Sequence, residues 1–196
     1  MEEQNEPKII RINILQTSMT LGTYLGAYII LAYLVTLLTV KYPALTLLAV
    51  PLFLGVPVVA FLLVRRFRDS TQVPYFPFPV SWIISILTFL FATVLSCMVA
   101  YLYLLFLDHG ALAAGLTARM DLMMQSSQEV TAAMTDPKQI EQYNSSMEFM
   151  QQTIAWFCSL PASAMTKQLI QTSLTFGNII SLIVGLLTAK RIKIQQ

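Results

Sequence analysis

Residues 80–107 read VSWIISILTFLFATVLSCMVAYLYLLFL, 28 in a row without a charged side chain. A helix rises about 1.5 Å per residue and a bilayer's hydrocarbon core is about 30 Å thick, so about 20 apolar residues cross it. The stretch crosses with length to spare and has to tilt or project beyond the bilayer. Three further intervals lack charge: residues 12–40, 42–64 and 168–189. Four spans follow, at about residues 19–40, 44–64, 80–107 and 168–189. Inside lipid, every backbone N–H and C=O must be satisfied within the chain, which here leaves helices. The expected fold class is all-α: a polytopic membrane protein with four transmembrane helices.

Composition points the same way. Charged residues make up 11% of the chain and hydrophobic residues 56%, whereas soluble domains carry about 25% charge. The net charge is +2, with no basic stripe for nucleic acid. Cys97 and Cys158 form no C-x-x-C pair, so neither a redox couple nor a zinc site is expected. Both read as small buried hydrophobes. The opening MEEQNEPK lacks the basic region of a secretory signal, and the run after it is too long for one. The first run is therefore expected to remain as a span.

Lys and Arg near the span ends set the orientation. One side holds Lys8, Arg11, Arg65, Arg66, Arg68, Lys190, Arg191 and Lys193; the other holds Lys41, Arg119, Lys138 and Lys167. Both termini are expected in the cytoplasm, and residues 108–167 outside it. Arg65, Arg66, Arg68, Lys190, Arg191 and Lys193 are the expected interface anchors. The chain divides into residues 1–107, 108–167 and 168–196: a tail with three spans, an extracytoplasmic helical hairpin, and a last span with a basic tail.

The spans carry packing signals. Ser18, Gly22 and Gly26 are four apart on one face of the first, as Gly177, Ser181 and Gly185 are on the last. Small residues so spaced let two backbones approach, within the bundle or between two copies. Pro51 and Pro57 flank Gly55 in the second span and are expected to bend it. After it, RRFRDSTQ reads as a turn and PYFPFP as an extended strip along the interface. Asn178 stands about half-way through the last span, where a buried amide glues helices together.

Residues 108–167 alternate differently. Leu116, Met120, Met123, Val130 and Met134 recur at helical steps, and Ile140, Tyr143, Met147, Met150, Ile154 and Phe157 repeat the pattern. Between them, Asp136 and Pro137 suit a helix start. Two antiparallel amphipathic helices folding near residues 135–136 are expected. Met120, Met123, Met124, Met147 and Met150 cluster on them as a plastic apolar seam or a forgiving docking surface. Thioethers can also take Cu(I), a soft ion; the seam is the favoured reading, and no metal or cofactor is expected.

The segments YLYLLFLDHG, DPKQIEQY and FGNIISLIVGLLTAKR, in that order, resemble a family known as domain of unknown function 4199. The likeness covers about residues 15–190. It implies a small bacterial inner-membrane protein with four spans and a polar helical insert between the third and fourth. It implies no activity and carries over no catalytic residue. PYFPFP differs from the smaller, glycine-richer loop associated with that position.

H-E-x-x-H and G-x-S-x-G are absent. Asp108 and His109 are neighbours, and neighbours on a helix diverge. No Asp, Glu or His lies within a span to carry protons. An enzyme is not expected. The favoured expectation is an anchor or interaction subunit with the Met-rich hairpin as its docking surface. Its partner is a membrane or extracytoplasmic protein, or a second copy. The alternative is a bundle passing a neutral solute or lipid by way of Thr36, Asn178 and the bent second span.

Overall fold

The computed structural model describes residues 13–71, 76–133 and 136–189. Six α-helices build it: α1 (Ile14–Lys41), α2 (Thr46–Thr71), α3 (Phe78–Phe106), α4 (Ala111–Ala133), α5 (Pro137–Ser159) and α6 (Ala162–Thr188). A 3-10 turn, Pro43–Leu45, joins α1 to α2. Helices α1, α2, α3 and α6 are each long and apolar enough to cross a membrane, and α4 and α5 form the insert between the third and fourth spans. The chain is an all-α, multi-pass membrane protein.

Prolines punctuate the helix starts. Pro43 opens the 3-10 turn, Pro77 and Pro161 are N-caps, and Pro137 stands in the first turn of α5. A missing N–H costs nothing there, because the first amides of a helix have no helical acceptor. Asp136 caps α5 as expected, its side chain accepting from the Lys138 N–H at 3.0 Å.

Helix α3 is the centre. It packs on α1 along one side and on α6 along the other, while α2 lies mainly against α1. Its buried face is a row of small residues: Ser81, Ser85, Thr88, Ala92 and Ser96. The α1 glycines press into this row. A Cβ on Gly22 would stand 2.6 Å from Phe91 Cβ and 2.9 Å from the Thr88 carbonyl. One on Gly26 would stand 3.3 Å from Ala92 Cα. On the other side, a Cβ on Gly185 would lie 3.0 Å from Trp82 Cα. Both glycine faces are thus used inside the bundle. The core beside them is aliphatic and aromatic, with Leu25, Ile84, Phe89 and Val184 buried.

Two expectations about the loop after α2 are corrected. RRFRDS is not a turn: α2 continues to Thr71, because charges forbid a helix only within the hydrocarbon, not beyond it. Nor does Phe76 lie along an interface; it is buried in the core. Phe78 already belongs to α3, its ring stacked on Trp82 with centroids 5.9 Å apart. Tyr75 lies outside the described residues, as do Lys8, Arg11, Met134 and Thr135.

Candidate binding cavity

Between α1, α2, α3 and α6 lies a cavity of about 600 Å³, in the half of the bundle nearer the hairpin. Ligand pockets commonly measure about 300–1,000 Å³. Phe53 of α2 and Phe176 of α6 face it, and Phe89 and Gly177 line it at the level where α3 and α6 touch. Leu112 and Phe157 reach it from the base of the hairpin. The lining is almost wholly apolar. Its polar groups are hydroxyls, including Tyr33, Thr93 and Ser173, and none of its residues is charged. Several hydroxyls are already occupied: Thr36 donates to the Ala32 carbonyl at 2.9 Å, and Ser96 to that of Ala92 at 2.7 Å. The chamber therefore accepts apolar matter and offers few directional contacts.

The end of the bundle away from the hairpin is tied together by polar contacts. Arg68 Nη1 donates to the Thr188 carbonyl at 3.0 Å, joining the ends of α2 and α6. Asp69 holds the same guanidinium at 2.7 Å. The hydroxyls of Ser81 and Thr188 bond to each other between α3 and α6. At the other end the hairpin is seated by Arg119, which donates to the Thr39 carbonyl of α1. Asp108 is buried and shapes the turn into α4: its carboxylate accepts from the N–H of Gly110 at 3.1 Å and of Leu112 at 2.9 Å. His109 and Gly110 carry positive φ, 43° and 84°, in that turn. Asp108 thus serves the backbone, and His109 is exposed.

The model of the family described as protein of unknown function (DUF4199) matches residues 20–190. The chain belongs to this family. No curated protein and no solved structure matches it.

In this DUF4199 protein the residues expected for a solute path separate. Thr36 and Pro57 line the cavity; Asn178 does not. Asn178 is exposed on the outer side of α6, in a shallow groove with Trp82 and Ile86 of α3. The expectation of a buried amide gluing the chain's own helices is corrected: Asn178 lies exposed at the edge of the α3–α6 contact and bonds to no other helix among the described residues. Gly177, Ser181 and Gly185 are buried in that contact, as expected.

The methionine cluster also divides. Met120 is buried at 4% exposure, which withholds it from a docking partner. Met124 and Met147 are half-buried, while Met123 and Met150 are exposed. The inward face of α4 runs through Met120, Met124, Ser127 and Thr131, rather than through Met123 and Val130. On α5, Ile140, Tyr143, Met147, Ile154 and Phe157 are the more buried residues, as the spacing predicts, and Met150 is not. Of the expected anchors, Arg65 and Arg66 are exposed on α2, and Arg65 lies 3.7 Å from Asp69. Lys190, Arg191 and Lys193 lie outside the described residues.

Sequence reasoning missed the hydroxyl row of α3 and the cavity itself. The row has a legible signal, small residues at steps of three and four. The cavity has none, because a gap between helices is set by their separation and not by any one pattern.

Proposed function

We propose that this DUF4199 protein is a non-enzymatic membrane protein whose bundle holds the apolar part of a neutral, lipid-like molecule. The observation that carries this reading is the uncharged, apolar cavity of about 600 Å³ between the spans. An acyl chain needs such a surface, and a hydrated ion or charged solute would lose its solvation there without compensation. The Lys and Arg bias supports placing both termini in the cytoplasm and the cavity in the outer half of a bacterial inner membrane.

The test uses the full chain in vesicles containing a photoactivatable acyl-chain lipid, with labelled positions mapped by mass spectrometry. Label concentrates on Phe53 and Phe176 and survives exchange into detergent. Ser173→Trp, which intrudes into the chamber, removes most of it, and Leu54→Trp on the lipid-facing side of α2 removes none. Uniform labelling of all lipid-facing residues, or loss of lipid at the first exchange, sinks the reading.

A second reading is favoured by the hairpin. Leu122, Met123, Phe149, Met150 and Trp156 are all exposed on it, outside the spans. A hairpin that presents such side chains supports the role of an anchored interaction subunit docking a membrane or extracytoplasmic protein. Changing Phe149, Met150 and Trp156 together to Ser would then abolish partner cross-linking while the bundle inserts normally. Cross-linking that persists would place the docking surface elsewhere.

A further inference from the structure

The exposed side of α6 is apolar at Phe176, Ile179 and Ile183, but one edge of it carries amides. Gln168, Gln171, Thr175, Asn178 and Leu182 are all exposed, and they follow one another at steps of three, four, three and four. That is the spacing of a coiled-coil seam, which keeps one edge of a helix facing a partner along its whole length. No hydrogen bond satisfies the side chains of Gln168, Gln171 or Asn178 among the described residues. Asn178 lies ten residues, about 15 Å, from Thr188 and eleven from Lys167, and so near the middle of the hydrocarbon. An amide left in lipid there loses its water and gains nothing in return. The edge turns away from the cavity: Leu169, Ser173 and Ile180 line the chamber, and none of the five seam residues does.

We infer that this seam pairs with the same seam of a second copy of the chain. Two copies in one membrane have the same orientation, so their α6 helices run parallel. A two-fold axis between parallel helices sets each residue opposite itself at the same depth. A charged side chain cannot satisfy itself across such an axis, but an amide can, because it carries both donor and acceptor. The seam from Gln168 to Leu182 holds amides, a hydroxyl and a leucine, and no charge. Its chemistry is self-complementary. A partner recognised through charge would find nothing here to engage.

The test measures association of the full chain in vesicles by stepwise photobleaching over a range of protein densities. It is joined to oxidative cross-linking of single cysteines in a Cys97→Ala, Cys158→Ala background. Two-step bleaching dominates at densities where chance pairing is rare, and Thr175→Cys cross-links. Leu47→Cys and Leu54→Cys on exposed parts of α2 do not. Asn178→Leu lowers the paired fraction at least fivefold, and Asn178→Gln retains it. Single-step bleaching at every density overturns the inference. So does cross-linking at Leu54→Cys equal to that at Thr175→Cys, an Asn178→Leu variant that pairs normally, or Thr175→Cys joining only a different protein in native membranes. Lipid labelling of the cavity is a separate readout, so either idea can fail without the other.

Discussion

The Tyr28 hydroxyl donates to the Leu52 carbonyl at 2.9 Å, reaching from α1 into α2. Two features of α2 make the contact possible. Pro57 leaves the next carbonyl, that of Phe53, without its helical donor, which loosens the ladder at this turn. Gly55 leaves space for the hydroxyl, and a Cβ there would collide with it. Five residues further along α1, Tyr33 meets Phe53 with ring centroids 5.7 Å apart. These contacts hold the α2 wall of the cavity in place.

Tyr28→Phe should therefore cost about 0.6 kcal/mol, the mean measured for interhelical hydrogen bonds in a membrane protein. Gly55→Val should cost about 1–3 kcal/mol through overpacking. Reversible unfolding in mixed micelles measures both. A neutral Tyr28→Phe together with a tolerated Gly55→Val would mean that the contact does not hold α2.

The glycines give a graded pair. An added Cβ at Gly22 meets Phe91 at 2.6 Å and a backbone carbonyl at 2.9 Å, whereas one at Gly177 meets Phe89 at an ordinary 3.4 Å. Gly22→Ala should lower stability by about 1–3 kcal/mol. Gly177→Ala, whose added Cβ meets only ordinary contact, should cost clearly less than Gly22→Ala. The same unfolding measurement ranks them, and the reverse order would refute the α1–α3 packing described above.

Asp108→Ala should uncap the start of α4. Loss of a capping carboxylate costs about 1 kcal/mol, and here the effect is local. Hydrogen exchange at the amides of Gly110 and Leu112 should quicken several-fold while the centre of α3 keeps its protection. Unchanged exchange at both amides would show that the turn holds itself.

What could be read from the sequence follows from which physical limits are strict. The four spans were legible because lipid tolerates almost no charge for some 20 residues. The α5 cap was legible because Asp136 and Pro137 each suit only a helix start. The end of α2 was not, because Arg65, Arg66 and Arg68 mark the edge of the hydrocarbon without ending a helix. The inward face of α4 was misjudged by one residue: Met123 and Met124 are adjacent, and a shift of one turns a helix by about 100°. Asn178 reads as internal from sequence because periodicity finds faces but does not say which of them meets the chain's own helices.

The α3 surface that meets Gly177 and Gly185, at Phe89 and Trp82, also bears on biosynthesis. A ribosome delivers α1 and α3 to the membrane well before α6, and the hairpin, residues 108–161, separates α3 from α6 in time. Helix α6 carries three side-chain amides and is less apolar than α1, α2 or α3. When it emerges, the groove that will receive Gly177, Ser181 and Gly185 is already standing in the bilayer. The reluctant helix is thus made last, and it enters a membrane that holds a template for it.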